Sequence, residues 1–389
     1  MNGLVAESRK RWDVFCKLVD NFGDIGVCWR LARNLSEHHQ VSVRLWIDCP
    51  EAFFRLQPGL KKHALPLMLG HIEVCEWCEP FGPAETVEAA DVVIEAFACG
   101  LPPAYIEAMV ARSLKPVWIE LDYLSAEAWV GECHGLGSIH PQSGLQRYFF
   151  FPGFERDTGG LLREPGLFGE RDRLRARADV RNALLALLGV DASLHRALLV
   201  SLFSYENAAI PELLNLWAKG DRDVLLLVPE GRALSSVATF FGESVLKAGD
   251  RRSRGRLVMS ILPFSDQTAY DRLLWLCDLN FVRGEDSFVR AQWAEKPFVW
   301  HIYRQNEGVH LIKLEAFLAL YCKDLDSASA ATVCTFWREW NREQSLADAW
   351  PRLLAAMPVL EGHARRWSEG LACQADLASQ LVHFCEKRL

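Results

Sequence analysis

The chain alternates twice between strand-sized apolar runs and amphipathic helical segments. The strand-like runs of the first half are "WDVFCKLV", "VSVRLWI", "IEVCEWC", "ADVVIEAF" and "KPVWIELDYL". The helical segments between them are "GVCWRLARNL", "PEAFFRL" and "PAYIEAMVARSL". Apolar runs of this length are typical of strands buried on both faces, and strands that alternate with helices favour a parallel sheet covered on both sides. The first half therefore predicts a Rossmann-like α/β domain.

A glycine- and charge-rich segment, residues 155–180, interrupts this pattern before it starts again. The strand-like runs of the second half are "RALLVSLF", "DVLLLVPE", "RLVMSILPF", "LNFV" and "KPFVWHIY", and the chain ends in helical segments. A chain of 389 residues also exceeds the usual size of one domain. We predict a first domain over 1–165, a linker over 166–190 and a second Rossmann-like domain over 191–369. A C-terminal helix of about 370–389 is expected to return to the first domain.

The composition argues against several classes of protein. The net charge of −7 does not favour a nucleic-acid or anionic-membrane surface. No apolar run reaches the roughly 18 residues of a membrane span, and the first 15 residues lack a signal-peptide pattern, so a cytoplasmic location is expected. The twelve cysteines show no disulfide rhythm and predict free thiols. Cys75 and Cys78 have C-x-x-C spacing but no second ligand pair, so no metal site is predicted.

A loop with two carboxylates, "VDNFGDIGV", follows the first predicted strand. A dinucleotide fingerprint needs three glycines, whereas this loop has only Gly23 and Gly26. Asp20 and Asp24 would repel a phosphate at close range, so the loop fits a cation or general-base chemistry better. Further acids are expected at the ends of later strands and would make this edge of the domain acidic: Asp48, Glu95 and Asp122.

The loops of the second half carry the opposite chemistry. "LFSYEN", "LPFSDQTAY" and "VRGEDS" each follow a predicted strand, and the second opens a helix that Ser265 can cap. These loops supply the rings of Phe203 and Phe264, the hydroxyls of Ser204 and Ser287, the amide of Gln267 and the cation of Arg283. Rings can stack on a base, and the helix N-terminus after "VRGEDS" favours a diphosphate. A nucleotide-binding half and an acidic half with a cleft between them are the arrangement expected of a GT-B glycosyltransferase.

Two long segments resemble one family. "VDNFGDIGVCWRLARNL" and "NFVRGEDSFVRAQWAEKPFVWHIYRQNEGVHLIKLEAFL" are similar to the bacterial elongation factor P arginine rhamnosyltransferases (EarP), and the likeness runs through nearly the whole chain. The resemblance implies an inverting, metal-independent GT-B enzyme without a cofactor. Such an enzyme transfers L-rhamnose from dTDP-β-L-rhamnose to an arginine of elongation factor P, which activates the factor for rescue of polyproline-stalled ribosomes. The first domain would then bind elongation factor P and the second the nucleotide sugar.

The resemblance also implies roles for residues in both motifs. The catalytic residues would be Asp20, Asp24 and Glu285. The donor-binding residues would be Phe203, Phe264, Gln267, Tyr270, Arg283, Asp286 and Ser287. The residues that shape the acidic loop would be Asn21, Phe22 and Gly23.

We expect one aspartate to act as the general base and the other to orient the guanidinium or support the loop. Asp20 is our choice for the base, although the sequence allows either order. Three other functions stay open from the residues alone. They are a GT-B transferase acting on a lipid or small-molecule acceptor, a GT-B-type epimerase, and a non-catalytic nucleotide-binding or scaffold protein.

Overall fold

The chain divides into two units. The structure is a computed structural model that describes residues 9–19, 22–60, 63–78, 80–177, 179–180, 182–183 and 196–389. The N-terminal unit comprises Met1–Pro165 and Gln374–Leu389, and the C-terminal unit comprises Gly166–Cys373.

The described part of the N-terminal unit contains an eight-stranded sheet in the order β3-β4-β2-β1-β5-β6-β8-β7. The strands are β1 (Arg11–Cys16), β2 (Ser42–Ile47), β3 (Leu67–Leu69), β4 (Ile72–Glu76), β5 (Val92–Ala96), β6 (Val117–Leu121), β7 (Gly137–Ile139) and β8 (Gln146–Phe150). The helices are α1 (Gly23–His38), α2 (Pro50–Leu56), α3 (Pro103–Ala111), α4 (Trp129–Cys133) and, at the end of the chain, α13 (Leu377–Glu386). The six inner strands are parallel. The alternation predicts five of them, whereas β8 was not predicted, because only its last residue is buried.

The two outer strands of this sheet run against their neighbours. β3 is antiparallel to β4, and β7 is antiparallel to β8. The sequence analysis did not predict either strand, because each has only three residues and none of them is buried. The inner strands β5 and β6, by contrast, are buried at every residue, which is why their apolar runs are continuous.

The described part of the C-terminal unit contains a six-stranded sheet in the order β11-β12-β10-β9-β13-β14. The strands are β9 (Leu198–Leu202), β10 (Val224–Pro229), β11 (Arg251–Arg254), β12 (Leu257–Leu262), β13 (Leu279–Arg283) and β14 (Phe298–His301). The helices are α5 (Leu167–Ala176), α6 (Ile210–Lys219), α7 (Leu234–Phe241), α8 (Gln267–Leu276), α9 (Asp286–Trp293), α10 (Val309–Tyr321), α11 (Ser327–Asn341) and α12 (Ala349–Ala372). Only the edge strand β11 is antiparallel.

Two local predictions differ from the structure. α5 lies inside the segment expected to be a linker, and its buried Arg171 donates a hydrogen bond to the backbone of Trp293 within the C-terminal unit. α8 begins at Gln267, one residue after Asp266, and the Asp266 carboxylate accepts a hydrogen bond from the Ala269 N–H. The capping residue is therefore Asp266 and not Ser265, since the cap must directly precede the first helical residue.

Each sheet has a point where the strand order reverses. In the N-terminal sheet β1 lies between β2 and β5, and in the C-terminal sheet β9 lies between β10 and β13. In open α/β sheets, ligands bind outside the carboxyl ends of the strands at such a point. The loops after β1, β9 and β13 are consequently the first places to look for function, and they hold most of the residues singled out from the sequence.

The remaining expectations concern thiols and membranes. All twelve cysteines are free thiols, as predicted. Cys75 is buried on β4, whereas Cys78 is exposed in the loop that follows. Within the described ranges, no helix is both long and apolar enough to cross a membrane.

Candidate functional site

The loop between β1 and α1 is fixed by two carboxylates from different elements. Asp24, in the first turn of α1, is buried, and its Oδ2 accepts a hydrogen bond of 2.8 Å from the Val19 N–H. Asp48, just after β2, accepts one of 2.9 Å from the Leu18 N–H through Oδ1. Two consecutive amides of the loop are thus bound to acids. The expected base Asp20 and its neighbour Asn21 lie outside the described residues.

The position of Asp24 suits a carboxylate. The first turn of a helix presents unpaired N–H groups and the positive end of the helix dipole, and both stabilise a negative charge there. Gly23 is the first residue of α1, and Phe22 directly precedes it. The guanidinium carbon of Arg55 lies 5.2 Å from the centre of the Phe22 ring. Asp24 is therefore an anchor of the loop, and we expect its loss to move the loop.

The other acids expected on this edge differ from one another. Glu95 is buried and accepts hydrogen bonds from the Gly100 N–H and the Trp118 indole N–H. Nη1 of Arg147 lies 3.8 Å from Oε2 of Glu95 and 2.7 Å from Oε2 of Glu120. Glu120, on β6, is the register partner of Glu95 on β5. Asp122 accepts a hydrogen bond from the Tyr123 N–H. Glu95 is consequently a buried structural acid with a nearby cation, and the acidic surface of this edge is smaller than expected.

In the C-terminal unit, the turn from β13 to α9 is closed by Ser287. Its Oγ accepts a hydrogen bond of 3.0 Å from the Arg283 N–H and donates one to the Arg283 carbonyl. Gly284 has a φ of +62°, a conformation that favours glycine, and its carbonyl accepts a hydrogen bond from the Trp300 indole N–H. Glu285 immediately precedes α9 and is half-buried. The first backbone amides of α9 therefore lie just beyond the carboxyl end of β13.

Arg283 is a buried cation held between two rings. Its guanidinium carbon lies 4.6 Å from the ring centre of Phe203 and 4.7 Å from that of Tyr205, and the residue is only 6% exposed. Among the described residues no carboxylate pairs with it, and its buried Nε has no hydrogen-bond partner. An arginine stays charged even when buried, so this geometry suits a bound anion.

The other predicted donor-binding residues lie in the segments that follow β9, β12 and β13. Gln267 at the start of α8 donates a hydrogen bond of 3.0 Å to Asp286 at the start of α9. Phe264 is half-buried in the loop after β12, where its N–H donates to Glu230. Tyr270 packs 5.2 Å from Phe203, and burial raises the pKa of its hydroxyl. The structure thus brings all seven expected donor-binding residues to the carboxyl end of one sheet.

Two further residues of this region were not predicted as site residues. Tyr205 covers the guanidinium of Arg283, and His301 is the register partner of Arg283 on β14. Both line a cavity of about 370 Å³. Tyr205 could have been found from its place two residues after Phe203, whereas a lone histidine at the end of an apolar strand carries no signal of its own in one sequence.

No candidate metal centre emerges from the part of the chain that the structure describes. In those residues, no three His, Cys, Asp or Glu side chains are grouped so that they could hold a metal ion. In the C-terminal unit, Arg283 and the N-terminus of α9 are groups whose chemistry suits an anion.

Comparison with known families covers almost the full chain. The sequence model of a family described as "Elongation-Factor P (EF-P) rhamnosyltransferase EarP" matches residues 12–386. A protein-arginine rhamnosyltransferase of Pseudomonas aeruginosa is 50% identical over 373 residues, which are 96% of this chain and 98% of the relative. Its counterpart in Pseudomonas putida is 49% identical over 97% of this chain and 99% of the relative.

Comparison with solved structures agrees with these relatives. A structure that describes the basis of EarP-mediated arginine glycosylation of translation elongation factor EF-P has a TM-score of 0.70 and 37% identity, and the match covers 98% of this chain and 100% of that chain. MurG of Acinetobacter baumannii matches with a TM-score of 0.51 at 12% identity over 98% of this chain and 100% of its own. The second likeness concerns the fold alone, and the fold of this chain is GT-B.

Proposed function

The chain belongs to the EarP family of elongation factor P (EF-P) rhamnosyltransferases, and on that premise we propose that it transfers a rhamnosyl group to an arginine side chain of EF-P. Relatives that carry this activity match nearly the whole chain, so both units of the enzyme are present. The acceptor is a translation factor, and we therefore place the reaction in the cytoplasm. The modified factor would be active in the rescue of ribosomes stalled at polyproline.

The donor in this proposal is dTDP-β-L-rhamnose, bound by the C-terminal unit without a cofactor. The single observation that carries this assignment is Arg283, a buried guanidinium between two rings with no anionic partner among the described residues. The diphosphate of the donor supplies the missing negative charge. The N-terminus of α9 adds N–H groups, and we assign Phe264 to stack on the base.

The acceptor presents an unusual chemical problem. The pKa of an arginine guanidinium is above about 12, and its nitrogen lone pairs are delocalised, so it is a poor nucleophile. We assign two carboxylates to this task. Asp24 holds the loop through the Val19 N–H, and Asp20 grips the guanidinium and takes its proton as the bond forms.

The transfer is a single displacement with inversion. A guanidinium nitrogen attacks the anomeric carbon, the bond from that carbon to the diphosphate oxygen breaks, and the nitrogen proton passes to Asp20. The electron pair of the broken bond leaves on dTDP, where Arg283 and the N-terminus of α9 stabilise the charge. We assign Glu285, directly before α9, either to bind hydroxyls of the sugar or to stabilise the oxocarbenium-like charge that develops on the sugar.

A pair of variants separates the two assignments. Asp20→Asn is expected to reduce transfer by at least about a hundredfold, the usual range for a general base, with the affinity for dTDP-rhamnose within a few-fold of the parent. Arg283→Gln is expected to weaken dTDP binding itself. Single-turnover transfer and calorimetric titration measure the two effects, and near-normal turnover in Asp20→Asn would show that the base is misassigned.

A further inference from the structure

His301 is a buried histidine that the proposed mechanism does not use. It ends β14 beside Arg283 on β13, and it is 7% exposed. Its Nδ1 lies 2.8 Å from the Ser204 hydroxyl, and its ring meets the rings of Tyr205 and Trp340 nearly edge-on. Contacts on three sides therefore fix the orientation of the imidazole.

The hydrogen bonds of Ser204 define which nitrogen of His301 carries the proton. The Ser204 hydroxyl donates to the Tyr205 carbonyl at 2.9 Å. A hydroxyl has one proton, so toward His301 its oxygen acts as an acceptor. Both contacts are hydrogen bonds only if Nδ1 of His301 is the protonated nitrogen.

The imidazole is also held neutral. Burial lowers the pKa of His301 to about 3, and the positive charge of Arg283 contributes in the same direction. Electrostatic interactions with His310 and Arg304 lower the pKa of His301 further. A neutral imidazole with a proton on Nδ1 has a lone pair on Nε2, so Nε2 is a hydrogen-bond acceptor.

This acceptor belongs to the lining of the cavity of about 370 Å³. Besides His301, the lining includes Tyr205, Arg232, Tyr303, Arg304 and Glu343. Glu343 lies 3.5 Å from Arg304. Within the described part of the chain, no side chain or backbone group donates to Nε2 of His301, so this nitrogen is available to accept a hydrogen bond from a ligand in the cavity.

The strand order indicates which part of the ligand reaches His301. Along the carboxyl end of the sheet the order is β12-β10-β9-β13-β14. Phe264 follows β12, Arg283 ends β13 and His301 ends β14. Neighbouring strands are about 4.8 Å apart, so a ligand with its base at β12 and its diphosphate at β13 extends its sugar toward β14.

We propose that Nε2 of His301 accepts a hydrogen bond from a hydroxyl of the sugar that is transferred. The inference rests on the proposed function, because it takes the ligand to be a nucleotide diphosphate sugar. It makes His301 a specificity-determining residue, since a neutral acceptor selects a sugar hydroxyl and gives nothing to the anionic diphosphate. The cavity that His301 and Tyr205 line is then the sugar subsite of the donor.

Two substitutions isolate the atom concerned. His301→Asn places an amide N–H near the position of Nδ1 and can keep the contact with Ser204, but it leaves nothing at the position of Nε2. His301→Gln is longer and returns an acceptor oxygen near the position of Nε2. Isothermal titration of each folded variant with dTDP-L-rhamnose and with dTDP compares a ligand that has the sugar with one that lacks it.

The expected result is a loss confined to one ligand. His301→Asn lowers the affinity for dTDP-rhamnose by about five- to tenfold, which is the effect of one neutral hydrogen bond. The affinity for dTDP stays within about twofold of that of the parent. His301→Gln recovers most of the loss. Equal weakening of both ligands, no weakening of either, or no recovery in His301→Gln overturns the assignment. If the parent protein binds neither ligand, the proposed function itself fails.

Discussion

Two buried charges stand in opposite situations, and the contrast explains how each unit works. Asp24 is a carboxylate whose charge is used inside the chain, because it accepts a hydrogen bond from the Val19 N–H of its own loop. Arg283 is a guanidinium whose charge has no such use among the described residues, although two aromatic rings lie within 5 Å of it. A buried charge is costly unless it is paired. Asp24 therefore stabilises the conformation of its own loop, whereas Arg283 is available to bind an anionic ligand.

The role of Asp24 gives a prediction at the residue scale. Asp24→Ala removes the acceptor of the Val19 N–H, and the loop should shift, since a hydrogen bond to a charged group contributes about 1.5–3 kcal/mol. We expect single-turnover transfer to fall by about tenfold or more while the affinity for dTDP-rhamnose stays within about twofold. Asp24→Asn keeps an acceptor oxygen and is expected to retain more activity than Asp24→Ala. Equal loss in the two variants would contradict the anchoring role.

Residue types explain which site residues the sequence could predict. Asp24 and Arg283 were predictable because acids beside a glycine and a cation before a helix are local patterns. The structural use of Glu95 was not predictable, since it depends on Trp118 and Arg147, which come from other strands. His301 was missed for the same reason, because its meaning lies in its contact with Ser204, 97 positions away.

The two helices that open at the proposed donor site are joined along their length. Gln267 and Asp286 connect the first turns of α8 and α9. Further along, Arg290 donates hydrogen bonds of 3.1 and 2.8 Å to the two carboxylate oxygens of Asp271. The Arg290 and Asp271 side chains are 2% and 6% exposed. The helices consequently carry their N-termini as one rigid element.

The ion pair between these helices gives a prediction about stability. Asp271→Ala leaves a buried guanidinium with one partner fewer and should lower the free energy of unfolding by about 3–5 kcal/mol. A double variant, Asp271→Leu with Arg290→Met, removes both charges and should recover much of that loss. Denaturant unfolding measures both. A single variant as stable as the parent would show that this pair does not hold the helices together.

The turn between β13 and α9 gives a second prediction for an element. Gly284→Ala forces a side chain into a left-handed conformation at a cost of about 1–2 kcal/mol, and it should weaken dTDP binding because Arg283 and the first amides of α9 move together. Gly370→Ala is the control, since Gly370 lies in α12 and an added Cβ would meet nothing within 4 Å. The control should be neutral or slightly stabilising. Unchanged dTDP affinity in Gly284→Ala would contradict this account of the turn.

In the whole molecule, the C-terminal segment Gln374–Leu389 belongs to the N-terminal unit. The Leu377 N–H donates to the Leu161 carbonyl, and Gln374 bonds to the backbone of Phe154. Arg163 donates to the Gln374 carbonyl. These contacts attach α13 to the N-terminal unit, so that unit is built from both ends of the sequence.

Removal of this last segment should therefore affect one unit more than the other. A chain that ends at Cys373 loses α13 and its buried residues, among them Leu377 and Leu381. Hydrogen exchange is expected to show faster exchange in β1 and α1 and little change in β9 and β13. Equal acceleration in both sheets, or none in either, would contradict the division of the chain into these units.

The fold was predictable to the extent that its signals are local. The inner parallel strands β1, β2, β4, β5 and β6 and the inner strands of the second sheet have apolar runs, and these runs placed them. The inner strand β8 was not predicted, because only the last of its five residues is buried. The edge strands β3, β7 and β11 contain three or four residues and bury little, so no apolar pattern marks them. Their pairing is a consequence of the neighbouring strand and not of their own composition.

The most direct test of the central claim is peptide mapping by mass spectrometry of purified EF-P after incubation with this protein and dTDP-L-rhamnose. If the protein is an EF-P arginine rhamnosyltransferase, a single arginine of EF-P gains the mass of one deoxyhexose. No gain is expected when dTDP replaces the nucleotide sugar or when that arginine is changed to lysine. An unmodified factor, or a deoxyhexose on any residue other than arginine, would contradict the claim.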